Sequence, residues 1–139
     1  MRIEDFPLAW RWTKSSSTVL PPDVLLSLVP LRGEQADLLY SRGENVFPRV
    51  TAASTIQHVS EEFEATREWL ATLSFAPGDR VCIVWDRDTG ISLPWHTFVA
   101  YWDDFCYPAS DDAFVFPESG SAALAWNHYE VFEYVESAV

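Results

Sequence analysis

The clearest periodic signal in the chain lies over residues 95–105, where Trp95, Phe98, Val99, Trp102 and Phe105 recur at helical spacing behind Pro94, a residue suited to a first helical position. Upstream, residues 80–85 are almost continuously apolar and β-rich, as a central strand requires. Asp86-Arg87-Asp88-Thr89-Gly90 then reads as a hairpin loop into a return strand at Ile91-Ser92-Leu93. Downstream, residues 113–116 and 121–126 read as a strand pair joined by Pro117-Glu118-Ser119-Gly120, with a last strand over residues 129–135.

The first half is expected to be richer in helices. Residues 8–12 have the look of an edge strand, followed by the polar loop 14–18. A short helix should start at Pro22 or Asp23, with Val24, Leu25 and Leu28 as its apolar stripe and Pro30 as its stop. A second helix is predicted over residues 34–41, with Leu38 and Leu39 inward and Gly43 as the C-terminal stop. Residues 45–54 show no firm period. Ser60 is placed as the N-cap of a third helix reaching Leu73, with Glu61, Glu62 and Glu64 complementing its dipole. Phe63, Thr66, Leu70 and Leu73 would face inward, and Trp69 would sit at the margin, before the turn at Ala76-Pro77-Gly78-Asp79. This order predicts one α+β domain over residues 1–139, with an antiparallel sheet of four to five strands and helices packed on one face.

Charge changes the picture more than length does. Residues 1–70 hold ten acidic and seven basic residues, whereas residues 71–139 hold eleven acidic residues against Arg80 and Arg87 alone. The second half also carries fourteen of the twenty-one aromatic residues. Without a basic footprint to neutralise phosphates, direct nucleic-acid binding is not expected, and neither is an anionic membrane surface. A basic protein is the complementary partner, although acidity of this size also serves solubility alone. No apolar stretch follows the opening Met1-Arg2-Ile3-Glu4-Asp5, and no apolar run is long enough to span a bilayer, so a cytoplasmic protein, monomer or homodimer, is expected. Cys82 falls in an apolar run and reads as a buried small hydrophobe. Cys106 has no histidine or asparagine placed by spacing to activate it.

Candidate chemistry is sparse, and no cofactor is implied. Asp88-Thr89-Gly90 matches the tripeptide of aspartic proteases, but Asp86-Arg87 stands where apolar residues should precede it, and hairpin-turn chemistry explains it better. A calcium loop over the same residues fails because Thr97 occupies the position of the closing glutamate. His58, His96 and His128 show no metal-ligand spacing, although His96 could meet Asp103 or Asp104 across about two helical turns. Asp103, Asp104, Asp111 and Asp112, with His128, could hold a divalent ion for hydrolysis, but the basic residues that would stabilise a phosphoryl transition state are missing nearby.

The segment 101–112 combines aromatic rings with acids. Interface cores favour tryptophan and tyrosine, and surrounding acids steer a basic partner. The expected binding face therefore comprises Asp86, Asp88, Asp103, Asp104, Asp111 and Asp112 as charges and Trp95, Tyr101 and Tyr107 as anchors. The competing expectation is that these rings are core, with Asp111 and Asp112 capping a turn.

Over residues 10–136 the order of elements resembles a family of small bacterial proteins of unknown function. The resemblance is carried by Trp10-Arg11-Trp12, by the segment from Pro22 to Leu31, by Cys82-Ile83-Val84-Trp85, by the segment from Pro94 to Asp112, and by Asn127-His128-Tyr129-Glu130. The Tyr107-Pro108-Ala109-Ser110-Asp111-Asp112 loop and the His128-Tyr129-Glu130 tail are also similar to immunity proteins of bacterial polymorphic toxin systems. That likeness implies a small, non-enzymatic, acidic inhibitor of a basic toxin domain. A metal-dependent hydrolase using the four aspartates, or a self-associating structural subunit, are the alternatives.

Overall fold

A computed structural model describes residues 2–13, 19–47, 54–59 and 63–136. The elements, in chain order, are α1 (Pro22–Ser27), β1 (Val29–Pro30), α2 (Gly33–Val46), β2 (Ser54–His58), α3 (Phe63–Ala71), β3 (Arg80–Val84), β4 (Gly90–Pro94), α4 (Trp95–Ala100), α5 (Trp102–Phe105), β5 (Ala113–Pro117), β6 (Ala123–Asn127) and β7 (Val131–Val135). The fold is α+β. Its antiparallel sheet has seven strands, in the order β1-β4-β3-β5-β6-β7-β2, rather than the expected four to five.

Both additional strands are edges, where sequence signals are weakest. β1 is two residues long, and Pro30, which lacks an N–H, is tolerated there because an edge strand has no outer partner to satisfy. β2 is a polar strand whose only aliphatic residue is Ile56, so its period does not stand out.

Side chains alternate across the sheet, and each face builds its own core. Val81, Ile83, Ile91, Leu93, Val115, Leu124, Trp126, Phe132 and Tyr134 join the main cluster with Trp12, Leu70, Trp95, Phe98, Trp102 and Phe105. Phe116, Ala123 and Val135 form a second cluster with Leu39, Val46, Phe47 and Phe114 of α2 and the opposite face. Helices therefore cover both faces, not one as expected.

α2 also overrides its predicted end. Gly43 does not stop the helix; it lies buried inside it, where Phe114 occupies the space a side chain would need. Tyr40 and Phe47, on the same helical face, bracket that ring at 5.3 and 5.7 Å. Leu38, expected inward, is 72% exposed, because packing the 40–43–47 face on the sheet turns it to solvent.

Other local differences follow from where large side chains must go. Residues 8–12 form no strand: Ala9–Arg11 is a 3-10 turn, and Ala9, Arg11 and Trp12 are all buried, a pattern strand alternation cannot supply. The predicted helix 95–105 breaks at Tyr101 (φ −123°, ψ 27°) into α4 and α5. Trp102 then meets Phe132 and Trp126, while Phe105 meets Trp12. α3 ends at Ala71, with Thr66 and Leu70 buried and Phe63 more exposed than expected. The Ser60 cap, Glu61, Glu62 and the loop 14–18 lie outside the described residues. Among the described residues no helix is long and apolar enough to cross a membrane.

Candidate functional site: an acidic sheet end around an aromatic cavity

The register brings the acid-bearing loops together. Val84 lies opposite both Gly90 and Phe114, Ala113 opposite Trp126, and Asn127 opposite Val131, which faces His58. The β3–β4 turn, the entry to β5, the β6–β7 turn and the exit of β2 consequently emerge at one end of the sheet.

Three tryptophans fasten α5 and the following loop over that end. The indole N–H groups of Trp12, Trp85 and Trp126 donate to the carbonyls of Asp104 (2.9 Å), Phe105 (2.9 Å) and Tyr107 (3.2 Å). The backbone N–H of Ala109 donates to the His128 carbonyl at 3.1 Å. Both non-glycine residues with positive φ among those described, Ala109 (66°) and Glu130 (64°), belong to these loops.

Asp86, Asp88, Asp103, Asp104, Asp112 and Glu130 therefore surround one end of the sheet, each exposed or partly exposed. The cations near them are already engaged. Arg87 pairs with Asp37 and Glu44 of α2, Arg67 pairs with Glu64 and stands 3.8 Å from Asp103, and Arg11 is buried against Asp111.

Two expected contributors are out of reach. Trp95 is 2% exposed, packed on Phe75 and Phe98, and its backbone N–H donates to the Asp79 carbonyl at the far end of the sheet. Asp111 lies beneath the surface, bonded to Arg11 and to the Tyr107 N–H, because it organises the loop from inside. Tyr101 is partly buried against the main core, and Tyr107 is half-covered, with the Arg11 guanidinium 4.0 Å from its ring centre.

A cavity of about 280 Å³ opens among these loops. Among the described residues, Trp102, Trp126 and Cys106 are its buried walls, Phe63 and Val59 flank it, and Asp103, Asp104, Tyr107, Pro108 and Glu130 also line it. Burial raises the Asp104 carboxyl to about 6, Asp103 beside it pushes the same way, and Arg67 opposes. The Asp104 carboxylate makes no hydrogen bond or ion pair with any described residue. On the cavity wall the indole N–H of Trp102, in a side chain 1% exposed, also lacks a partner among the described residues.

A broader groove of about 660 Å³ lies on the opposite sheet face beside α2, lined by Tyr40, Phe47, Ile56, Phe114 and Val131 with Glu44, Asp112 and Glu133. At its rim His128 Nδ1 lies 2.9 Å from Asp112 Oδ1.

The remaining motifs resolve as local structure. Asp86 accepts the Asp88 N–H at 2.8 Å, an Asx turn, and the Thr89 carbonyl accepts the Trp85 N–H, so Asp88-Thr89-Gly90 is a hairpin tip. His96 bonds the Pro77 carbonyl on the surface and does not join Asp103 or Asp104. Asp111 faces Arg11 and Asp112 faces His128. Among the described residues no three histidine, cysteine, aspartate or glutamate side chains gather as a metal site. Burial raises both thiols, Cys82 to about 11 and Cys106 well above its ordinary value.

Sequence reasoning missed Phe63, Trp126 and Glu130 as neighbours of Asp103 and Asp104, while Cys106 fell within the segment 101–112 without a role in the expected face. Only one of these had a local signal: Asn127 accepts the Tyr129 N–H at 2.8 Å, an Asx turn that shortens the predicted last strand and places Glu130 in the turn.

Comparison with known proteins finds no matching family model, no similar curated protein and no similar solved structure.

Proposed function

We propose that this chain is a non-enzymatic protein-binding module whose partner is basic, and in its most concrete form an immunity-type inhibitor that covers a basic toxin surface. The observation that carries this reading is the convergence of six carboxylates from four chain segments at one sheet end, around an aromatic cavity, where the neighbouring Arg11, Arg67 and Arg87 are already paired with acids. A net charge of −12 attracts a basic partner from a distance and accelerates encounter, and the loop acids then set orientation. Asp86 and Asp88 at the β3–β4 turn, Asp103 and Asp104 on α5, and Asp112 and Glu130 near the β6–β7 turn provide charge. Tyr107, Phe63 and the apolar cavity provide area that excludes water.

Attraction of this kind weakens as salt screens it, with a screening length of roughly 8 Å at physiological ionic strength. The test is capture of binding proteins on the immobilised wild-type chain and on a variant carrying Asp103→Asn, Asp104→Asn, Asp112→Asn and Glu130→Gln, each eluted in rising salt. The reading expects basic proteins that elute with salt from the wild type and are not retained by the variant, and whose activity the wild-type chain then inhibits. Equal retention by the two chains, or a retained set with no basic bias, would overturn it.

A further inference from the structure

We propose that the cavity between α5 and the β6–β7 turn is the receptacle for a single arginine side chain of the basic partner. This deepens the binding reading and rests on it only for the arginine belonging to a protein.

Size sets the scale of the occupant. At about 280 Å³ the cavity falls just below the roughly 300–1,000 Å³ of pockets that enclose whole small molecules, so it suits one long side chain with its solvent. Chemistry selects the kind of side chain. The walls are aromatic, with Phe63 42% exposed at their edge and set edge-on to Trp102 at 5.2 Å, while Asp103, Asp104 and Glu130 supply acceptors from two different elements. A planar guanidinium offers five donors and a flat face that packs on rings. A lysine ammonium offers one compact charge and no such face.

The molecule already shows what is missing. Asp104 is held half-buried with no hydrogen bond or ion pair among the described residues, and Arg67, the cation whose field reaches it, is spent on Glu64 with only a 3.8 Å approach to Asp103. A cation entering the cavity would supply the absent counter-charge. Trp102 supplies part of the wall, and its buried indole N–H has no partner among the described residues, so the wall is short of polar contacts on this side as well. The chain satisfies the same demand internally a few residues away, where the Arg11 guanidinium lies over the Tyr107 ring and bonds Asp111 through two nitrogens.

The test titrates the full chain at low salt with a capped Gly-Arg-Gly peptide and with its citrulline and lysine analogues, following the indole N–H resonances of Trp102 and Trp126. The arginine peptide is expected to shift both resonances saturably, the citrulline analogue to bind at least tenfold more weakly and the lysine analogue several-fold more weakly. Asp104→Asn and Glu130→Gln should each weaken the arginine peptide several-fold, whereas Asp23→Asn, an exposed acid on α1 that does not line the cavity, should not. Thermal melts confirm that each variant is folded. Silent resonances, no preference over citrulline, or equal losses in the Asp23 variant would overturn the proposal. Overturned in that way while basic proteins are still captured in a salt-sensitive manner, it leaves the binding reading standing. Arginine binding with no protein captured sinks the binding reading and keeps the cavity.

Discussion

Arg11 and Asp111, one hundred residues apart, form a buried bidentate ion pair, with Nη1 to Oδ2 at 2.6 Å and Nη2 to Oδ1 at 2.9 Å. Asp111 Oδ2 also accepts the Tyr107 N–H at 2.9 Å, so the pair ties the N-terminal 3-10 turn to the loop that carries Tyr107 and Asp112. Neither residue is available to a partner. Their function is to shape the acidic end from beneath.

Removing one member of this pair should cost more than the pair itself contributes, because the survivor is left charged in a site that excludes water. Asp111→Ala strands Arg11 and the Tyr107 N–H, and a loss of about 3–5 kcal/mol is expected in urea unfolding. The double variant Arg11→Met/Asp111→Leu removes both charges and should recover most of that loss. A double variant as unstable as the single one would show that the bidentate geometry, not stranded charge, dominates.

Asp104 should make stability fall as pH rises. Its folded carboxyl titrates near 6, chiefly through burial, against roughly 4 in an unfolded chain. The folded state therefore holds the proton more tightly. That contribution is complete below about pH 4 and is lost as pH rises through about 6. Allowing for solvent screening of a half-exposed group, the charged form costs on the order of 1 kcal/mol. Asp104→Asn should raise the melting temperature by roughly 3–5 °C at pH 7.5 and leave it unchanged at pH 4. The comparison of two melting curves at each pH checks it.

Gly43→Ala sets two effects against each other. Alanine is better than glycine inside a helix by about 1 kcal/mol, but a methyl here collides with the Phe114 ring held between Tyr40 and Phe47. Overpacking of this kind costs about 1–3 kcal/mol, so a net loss of up to about 2 kcal/mol is expected by urea unfolding. Adding Phe114→Leu should return stability by opening the notch.

The same position shows why parts of the fold were legible and others were not. The hairpin 80–94, the β5–β6 pair and the inward stripe Trp95, Phe98, Trp102 and Phe105 could be read because local period and burial agree there. Gly43 read as a helix stop because its reason for being glycine is a ring 71 residues away. β1 and β2 were missed because edge strands gain their pairing from neighbours and need little pattern of their own. Sequence put Asp103, Asp104 and Asp112 on one expected face, and the structure brings these three to the same end of the sheet, yet that expectation also took in Trp95 and Asp111. Aromatic and acidic composition does not distinguish an anchor from a core ring, or an exposed acid from one already paired.

The indole bonds to α5 and its loop give a final prediction that is independent of any partner. Trp85 is half-buried, and its N–H donates to the Phe105 carbonyl, one of three such bonds that hold the segment to the sheet end. Trp85→Phe keeps a ring beside Phe6 and Trp12 but removes the donor, leaving a carbonyl without its partner. The cost should be about 1–3 kcal/mol, and it should be local before it is global. Hydrogen exchange is expected to accelerate at the Cys106 and Asp111 amides, which bond Trp102 and Tyr107 carbonyls in this segment, while the β3–β4 ladder amides stay protected. Uniform acceleration across both regions would mean that Trp85 supports the sheet as a whole and that the indole does not act as a local clamp.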